Sequence, residues 1–182
     1  MLVTIFIMID LKQIDNTWTL FLDRDGVINH EKHLDYIHTW DEFAFYEGVT
    51  EAIAVFAKTF HRIVVVTNQK GVGKGVTRLE DLQLIHANMV AVYFCPDLDS
   101  DSPNRKPNPG MGLQAVQDFP DIDLDKAIMV GNTISDMQFG RNLGVQTIFL
   151  PTTRPEVDVN DERIDAVYDS LIAFANELKN QR

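Results

Sequence analysis

The chain has 182 residues, 45% of them apolar and 24% charged, which is the composition of an ordinary globular protein long enough to bury one core. Its formal charge of −11 argues against the basic surface that non-specific nucleic-acid binding needs, but not against an anionic substrate, because a metal ion and a few cations can reverse the sign inside one cleft. The single cysteine, Cys95, excludes an internal disulfide framework and a cysteine zinc cluster, and fits a reducing, cytoplasmic setting.

The first apolar run, Met1 to Ile9, is too short to span a bilayer and lacks the basic region and small-residue cleavage site of a signal peptide. It reads either as an extra strand or as the product of an upstream start, with Met8 the natural one; residues 1–16 are taken as an N-terminal extension. Trp18 to Leu22 reads as a central buried strand that ends in Asp23 and Asp25, one residue apart, followed by Gly26. Unpaired carboxylates on a buried strand are costly. Two of them at i and i+2 make a hard-oxygen site suited to Mg²⁺, and one could attack phosphorus. The plain alternative is a polar Asp-Gly turn.

Residues 26–47 form a long polar and aromatic loop, whose length predicts a flap over a site. Its histidines, His30, His33 and His38, have no acids or cysteines at metal-binding spacing. Gly48 to Phe60 is a helix with Val49, Ile53, Phe56 and Phe60 as one stripe, and Ile63 to Val66 is a β-branched run of the kind buried on both faces of a parallel sheet. That strand ends in Thr67, Asn68 and Gln69.

The stretch Lys70 to Gly75 invites a P-loop reading and fails it: Asn68 stands where the first glycine belongs, and Gly75 stands where Ser or Thr belongs. A flexible loop is expected instead. Thr77-x-x-Glu80 reads as a capping box starting a helix near Arg78, with Leu79, Leu82, Ile85 and Met89 inward. Ala91 to Cys95 is a strand that follows almost without a connection, so either the helix ends early or a segment has been lost. A Pro/Asp/Ser loop with Arg105 and Lys106 leads to a helix over 111–119. Then come a strand at 127–130 closing on Gly131-Asn132, a helix at 135–143, a strand at 145–150, a short edge strand at 166–168 and a last helix capped by Ser170.

This alternation predicts a Rossmann-like, doubly wound, mainly parallel α/β sheet with helices on both faces. There is no repeat and no linker, so residues 1–182 read as one domain, with its ligand at the C-terminal ends of the strands. Four such ends carry polar chemistry: Asp23/Asp25, Thr67/Asn68, Arg105/Lys106 and Asn132 to Asp136.

Over residues 19–150 the chain resembles the haloacid dehalogenase superfamily of phosphohydrolases, with FLDRDGVIN, VVVTNQ, RKPNPGM and MVGNTISDM as its four motifs. Within it the motifs are most similar to the histidinol-phosphatase and heptose-bisphosphate-phosphatase group, and RKPNPGM with residues 36–48 leans toward the D-glycero-D-manno-heptose bisphosphate branch. The resemblance implies a fold without a large cap domain and a Mg²⁺-dependent attack by Asp23 that forms an aspartyl-phosphate. It implies that Asp25 is the general acid and base, and its neighbouring carboxylate favours the raised pKa this needs. Thr67, Asn68 and Lys106 would hold the phosphoryl group, and Arg105 would reach the substrate. The metal would be held by Asp23, the Asp25 backbone carbonyl and Asn132, with Asp136 compensating.

Two departures qualify this. Asn132 stands where the group has an aspartate, which removes a full charge from the metal site, and Thr133 replaces a frequent lysine. The zinc loop of many members has shrunk to Cys95, so no zinc site is expected. The resemblance favours a small phosphorylated sugar as partner and a monomer or small homo-oligomer, with no nucleic acid and no membrane. A catalytically weak phosphometabolite-binding protein and a histidinol-phosphate phosphatase remain alternatives.

Overall fold

The runs of β-branched and aromatic residues become strands because, in a sheet covered on both faces, every side chain finds an apolar partner. The computed structural model describes residues 9–32, 34–87, 89 and 91–181, so the N-terminal run through Met8 and His33 lie outside it. Six strands, β1 (Thr19–Leu22), β2 (Arg62–Asn68), β3 (Ala91–Cys95), β4 (Ala127–Gly131), β5 (Gln146–Phe149) and β6 (Ala166–Val167), pair in the order β3-β2-β1-β4-β5-β6. Every pairing is parallel.

Alternate residues feed two cores. Leu20, Leu22, Val65 and Val130 face α1 (Val49–Thr59) and α6 (Leu171–Asn180), where Phe56 and Phe174 lie 5.2 Å apart between ring centroids. Phe21, Val64, Val66 and Met129 face α4 (Gly110–Asp118) and α5 (Ile134–Leu143) through Met111, Ala115, Phe139 and Leu143. Strand order reverses at β1, so the connections leaving β1 and β4 diverge and open a crevice at their C-terminal ends. Leu22 is in register with both Val65 and Val130, and the Asp23 N–H donates to the Val130 carbonyl at 3.0 Å. Asp23 therefore stands opposite Gly131 at the crest, one residue before Asn132.

The structure departs from the sequence expectations in several places. In α1 the buried face is Val49, Ala52, Phe56 and Thr59, while Ile53 is half-buried. The stretch after β2 is no flexible loop: Lys70–Gly73 makes one helical turn, α2. Its glycines serve close packing, since a Cβ on Gly73 would lie 2.0 Å from the Pro96 carbonyl oxygen. α3 (Leu79–His86) begins without the capping box. Its cap residue is Arg78, with no side-chain cap bond, because the buried Thr77 turns its hydroxyl to His38 Nδ1 of the flap at 3.0 Å. α3 ends at His86, a turn before Met89, which supplies the connection to β3 that the sequence lacked. Of its stripe, Leu82 and Ile85 are buried while Leu79 is exposed.

The long loop folds against the crest. Asn29 bridges to both Asp25 and Phe45, Trp40–Glu42 forms a 3₁₀ turn, and Trp40 stacks on Phe43 at 5.3 Å. Among the described residues no helix is long and apolar enough to cross a membrane.

Phe174 is buried between Phe56 and Tyr168, away from the crest. Phe174→Ala is expected to lower unfolding free energy by about 3–5 kcal/mol while leaving activity at low temperature near wild type, as measured by urea titration beside a phosphate-release assay.

Candidate active site

The crest opens into a cleft of about 1140 Å³. Its walls come from β1, β2, the loop before α4, the start of α5, the loop after β5 and the flap, the last through Glu31, Lys32, Asp35 and Tyr36. All eight residues that the sequence marked, Asp23, Asp25, Thr67, Asn68, Arg105, Lys106, Asn132 and Asp136, line this one cleft.

At its floor is a buried ion triad. Lys106 Nζ lies 2.8 Å from Asp23 Oδ1 and 2.6 Å from Asp136 Oδ1. The lysine is placed by its backbone: the Asn68 amide accepts from the Lys106 N–H at 3.0 Å and donates to the Lys106 carbonyl at 3.1 Å. Asp136 is placed by the capping box of α5, where its Oδ2 accepts from the Thr133 N–H and hydroxyl and its own N–H is capped by the Thr133 side chain. Both oxygens of Asp136 are thus engaged. Burial opposes the Lys106 charge, but Asp136 and Asp23 outweigh it and raise its pKa. Burial pushes Asp23 up to about 7, with repulsion from Asp136 adding and the pull of Lys106 opposing.

Asp25 has the opposite environment, which corrects the expectation that its neighbour raises its pKa. Burial alone would raise it, but the Arg24 guanidinium, Asn29 and Gln69 together hold it below the usual carboxylate value. Arg24 Nη2 donates to both Asp25 oxygens at 2.7 Å and Nε donates to Oδ1 at 3.1 Å. Asn29 Nδ2 and Gln69 Nε2 add one donor each, both at 2.9 Å. Opposite charge and hydrogen bonds to the ionised form therefore outweigh desolvation and the nearby carboxylate.

Gln69 Nε2 also donates to Thr67 Oγ1 at 2.8 Å, which leaves the hydroxyl proton of Thr67 available to a ligand. Arg105 turns Nη1 onto the Leu98 carbonyl at the cleft rim. Asn132 is fully buried; its Nδ2 donates to Thr153 Oγ1 at 2.6 Å, and its Oδ1 has no hydrogen-bond partner. This buried, unpartnered amide oxygen lines the same cleft as the Asp23 carboxylate, and oxygens of these two kinds fit a hard cation. Among the described residues no group of three His, Cys, Asp or Glu side chains could hold a metal ion. Cys95 lies buried at the end of β3.

Arg24, Asn29 and Thr153 were not singled out from the sequence, and Gln69 and Thr133 were noted there without a role at the site. Arg24 and Asn29 lie inside the motif FLDRDGVIN, Gln69 inside VVVTNQ and Thr133 inside MVGNTISDM, so their place in those motifs was the available signal.

A parallel sheet with a lysine-held carboxylate at the end of its central strand and a second carboxylate two residues on is a doubly wound α/β fold with its acids at the carboxyl ends of the strands. A family model of haloacid dehalogenase-like hydrolases matches residues 10–150, and the chain belongs to that family. It is 32% identical to a D-glycero-α-D-manno-heptose-1,7-bisphosphate 7-phosphatase of Mycobacterium bovis, across 87% of this chain and 90% of that one. It is also 32% identical to a D-glycero-β-D-manno-heptose-1,7-bisphosphate 7-phosphatase of Salmonella typhi, across 90% of this chain and 96% of that one. Among solved structures, a D,D-heptose 1,7-bisphosphate phosphatase from B. bronchiseptica complexed with magnesium and phosphate superposes with a TM-score of 0.77 at 27% identity, over 91% of this chain and 99% of that one. The chain is accordingly a phosphatase of this family.

The two aspartates make opposite contributions to stability. Asp23, raised from 3.8 to about 7, binds a proton in the folded state that the unfolded chain has released, so its contribution falls as pH rises from about 4 to about 7. Asp25, lowered, contributes stability above its unfolded pKa that is lost as pH falls through the folded value. In chelator, wild type is therefore expected to lose stability relative to Asp23→Asn between pH 4 and pH 7. Urea titrations at several pH values test this; parallel curves would contradict it.

Proposed function

We propose that this chain is a Mg²⁺-dependent phosphomonoesterase acting on a small sugar bisphosphate of the heptose-1,7-bisphosphate kind, through a phosphoryl group carried on Asp23. What supports the reading is one arrangement: a cleft carboxylate held through a single oxygen by a buried lysine, with an ionised carboxylate two residues away. Relatives acting on heptose bisphosphates point to the same substrate class.

Asp23 attacks phosphorus with its cleft-facing oxygen. The bond from phosphorus to the sugar oxygen breaks, and the leaving oxygen takes a proton from Asp25. Since Arg24 holds Asp25 ionised, that proton arrives with the substrate as a phosphate monoanion. Asp25 then takes a proton from water, which attacks the phosphoryl-aspartate, and inorganic phosphate leaves with Asp23 regenerated. The Thr67 hydroxyl and the Asn68 N–H donate to phosphoryl oxygens, while Lys106 keeps Asp23 from repelling the incoming anion. Mg²⁺, held by Asp23, Asn132 Oδ1 and the Asp25 carbonyl, would offset charge on the transferring phosphoryl group. Asp136 serves in this reading by fixing Lys106. A lone buried thiol suits a cytoplasmic site of action.

One observation favours a second reading, a weakly catalytic phosphometabolite binder: Asn132 brings no charge to the metal, and Lys106 occupies both Asp23 and Asp136.

Phosphate release from sugar bisphosphates, sugar monophosphates and histidinol phosphate, with Mg²⁺ varied from micromolar to tens of millimolar, separates these. Turnover at millimolar Mg²⁺ that vanishes in Asp23→Asn is expected; none at any Mg²⁺ from folded protein would leave the binder. Asn132→Asp should lower the Mg²⁺ needed for half-maximal rate on the order of tenfold, because one formal charge is added to the ligand set.

A further inference from the structure

α3 contributes no residue to the lining of the cleft, yet it touches the chemistry. Arg24 is the largest fully buried side chain, and its guanidinium has two sides. The Nε and Nη2 side faces Asp25, its own chain neighbour. The other side, Nη1, faces Nε2 of His86 at 3.1 Å, across 62 positions of sequence.

That asymmetry matters. Arg24 and Asp25 are chain neighbours, so their ion pair by itself ties the guanidinium to nothing outside its own turn. Asn29 and Gln69 hold the Asp25 carboxylate, but the contact that holds the guanidinium itself from a separate element is the one with His86. His86 closes α3, whose Leu82 and Ile85 are buried, and its ring rests 5.9 Å from that of Phe94 on β3. It is anchored on both sides.

We infer that His86 is a positioning residue for Asp25, acting through Arg24. The inference rests on the phosphatase reading above. Burial, with the Arg24 charge adding, lowers the His86 pKa to about 4, which agrees with a neutral ring whose Nε2 lone pair accepts from the guanidinium. The ring proton then sits on Nδ1. Asn29 and Gln69 restrain the Asp25 carboxylate directly; His86 restrains the group that carries most of its charge balance. Because phosphate binding falls to Thr67, Asn68 and Lys106, loss of His86 should reach kcat and spare KM.

The test compares His86→Gln, whose amide oxygen reaches toward Nη1, with His86→Asn, one methylene shorter, and His86→Leu, which has no acceptor. With the best sugar bisphosphate of the panel, His86→Asn and His86→Leu are expected to lower kcat about 10–100-fold with KM within about twofold of wild type, and His86→Gln to recover most of the loss. Near-wild-type kcat in His86→Asn, an equal loss in all three, or KM rising as kcat falls would each overturn the proposal.

A second readout needs no turnover. In ¹⁵N NMR spectra, hindered rotation should keep the Arg24 guanidinium signals resolved in wild type and His86→Gln, and averaged in His86→Asn. Wild type without phosphatase activity but with that pattern would sink the functional reading and leave the contact standing; averaged signals in active wild type would sink the contact alone.

Discussion

A lysine ammonium buried between two carboxylates is the constraint on which this crest depends. Lys106 Nζ, within 2.8 Å of Asp23 and 2.6 Å of Asp136, is almost wholly removed from water. Removing one member of such a group leaves an uncompensated buried charge, a loss of roughly 3–5 kcal/mol. The neighbouring structure serves that contact. Asn68 spends its whole amide on the Lys106 backbone, and Thr133 and Asp136 cap α5 so that one aspartate oxygen points at the lysine. Gly131 takes part as well, since a Cβ there would lie 2.2 Å from that of Asp136.

Two carboxylates two residues apart end with opposite electrostatics. Asp23 faces burial and a second carboxylate, and its proton affinity rises. Asp25 faces a guanidinium and two amides, and its affinity falls. The difference comes from alternation along an extended segment: neighbours at i and i+2 share a side, but the turn at Gly26 (φ +84°) bends Asp25 back toward Arg24 and Asn29. Two carboxylates can thus be tuned apart within three residues.

The sheet was legible because its strands are continuous β-branched runs and its helices carry amphipathic stripes; Ile63 to Val66 admits few other readings. The crest was legible because acids and amides recur at strand ends, where buried apolar runs give no local reason for them. What escaped was contact between distant elements. Thr77 and Glu80 match a capping pattern, yet Thr77 bonds to His38, 39 positions away, which no local spacing reveals. The low pKa of Asp25 depends on where Arg24 points, and a sequence shows that Arg24 is adjacent but not that it folds back.

The same contacts decide what Asn132 can mean. Asp136 might have been expected to replace the charge missing at Asn132, but its two oxygens already serve Lys106 and Thr133. Freeing one for a cation would strand the buried ammonium or uncap α5, at a cost greater than the gain from one more ligand. Moving Asn132 itself is equally constrained, because its Nδ2 is tied to Thr153 and a Cβ on Gly26 would lie only 2.0 Å from it. The amide is therefore locked with Oδ1 inward and unpaired. A cation arriving at this position would meet an amide dipole and no formal charge from Asn132.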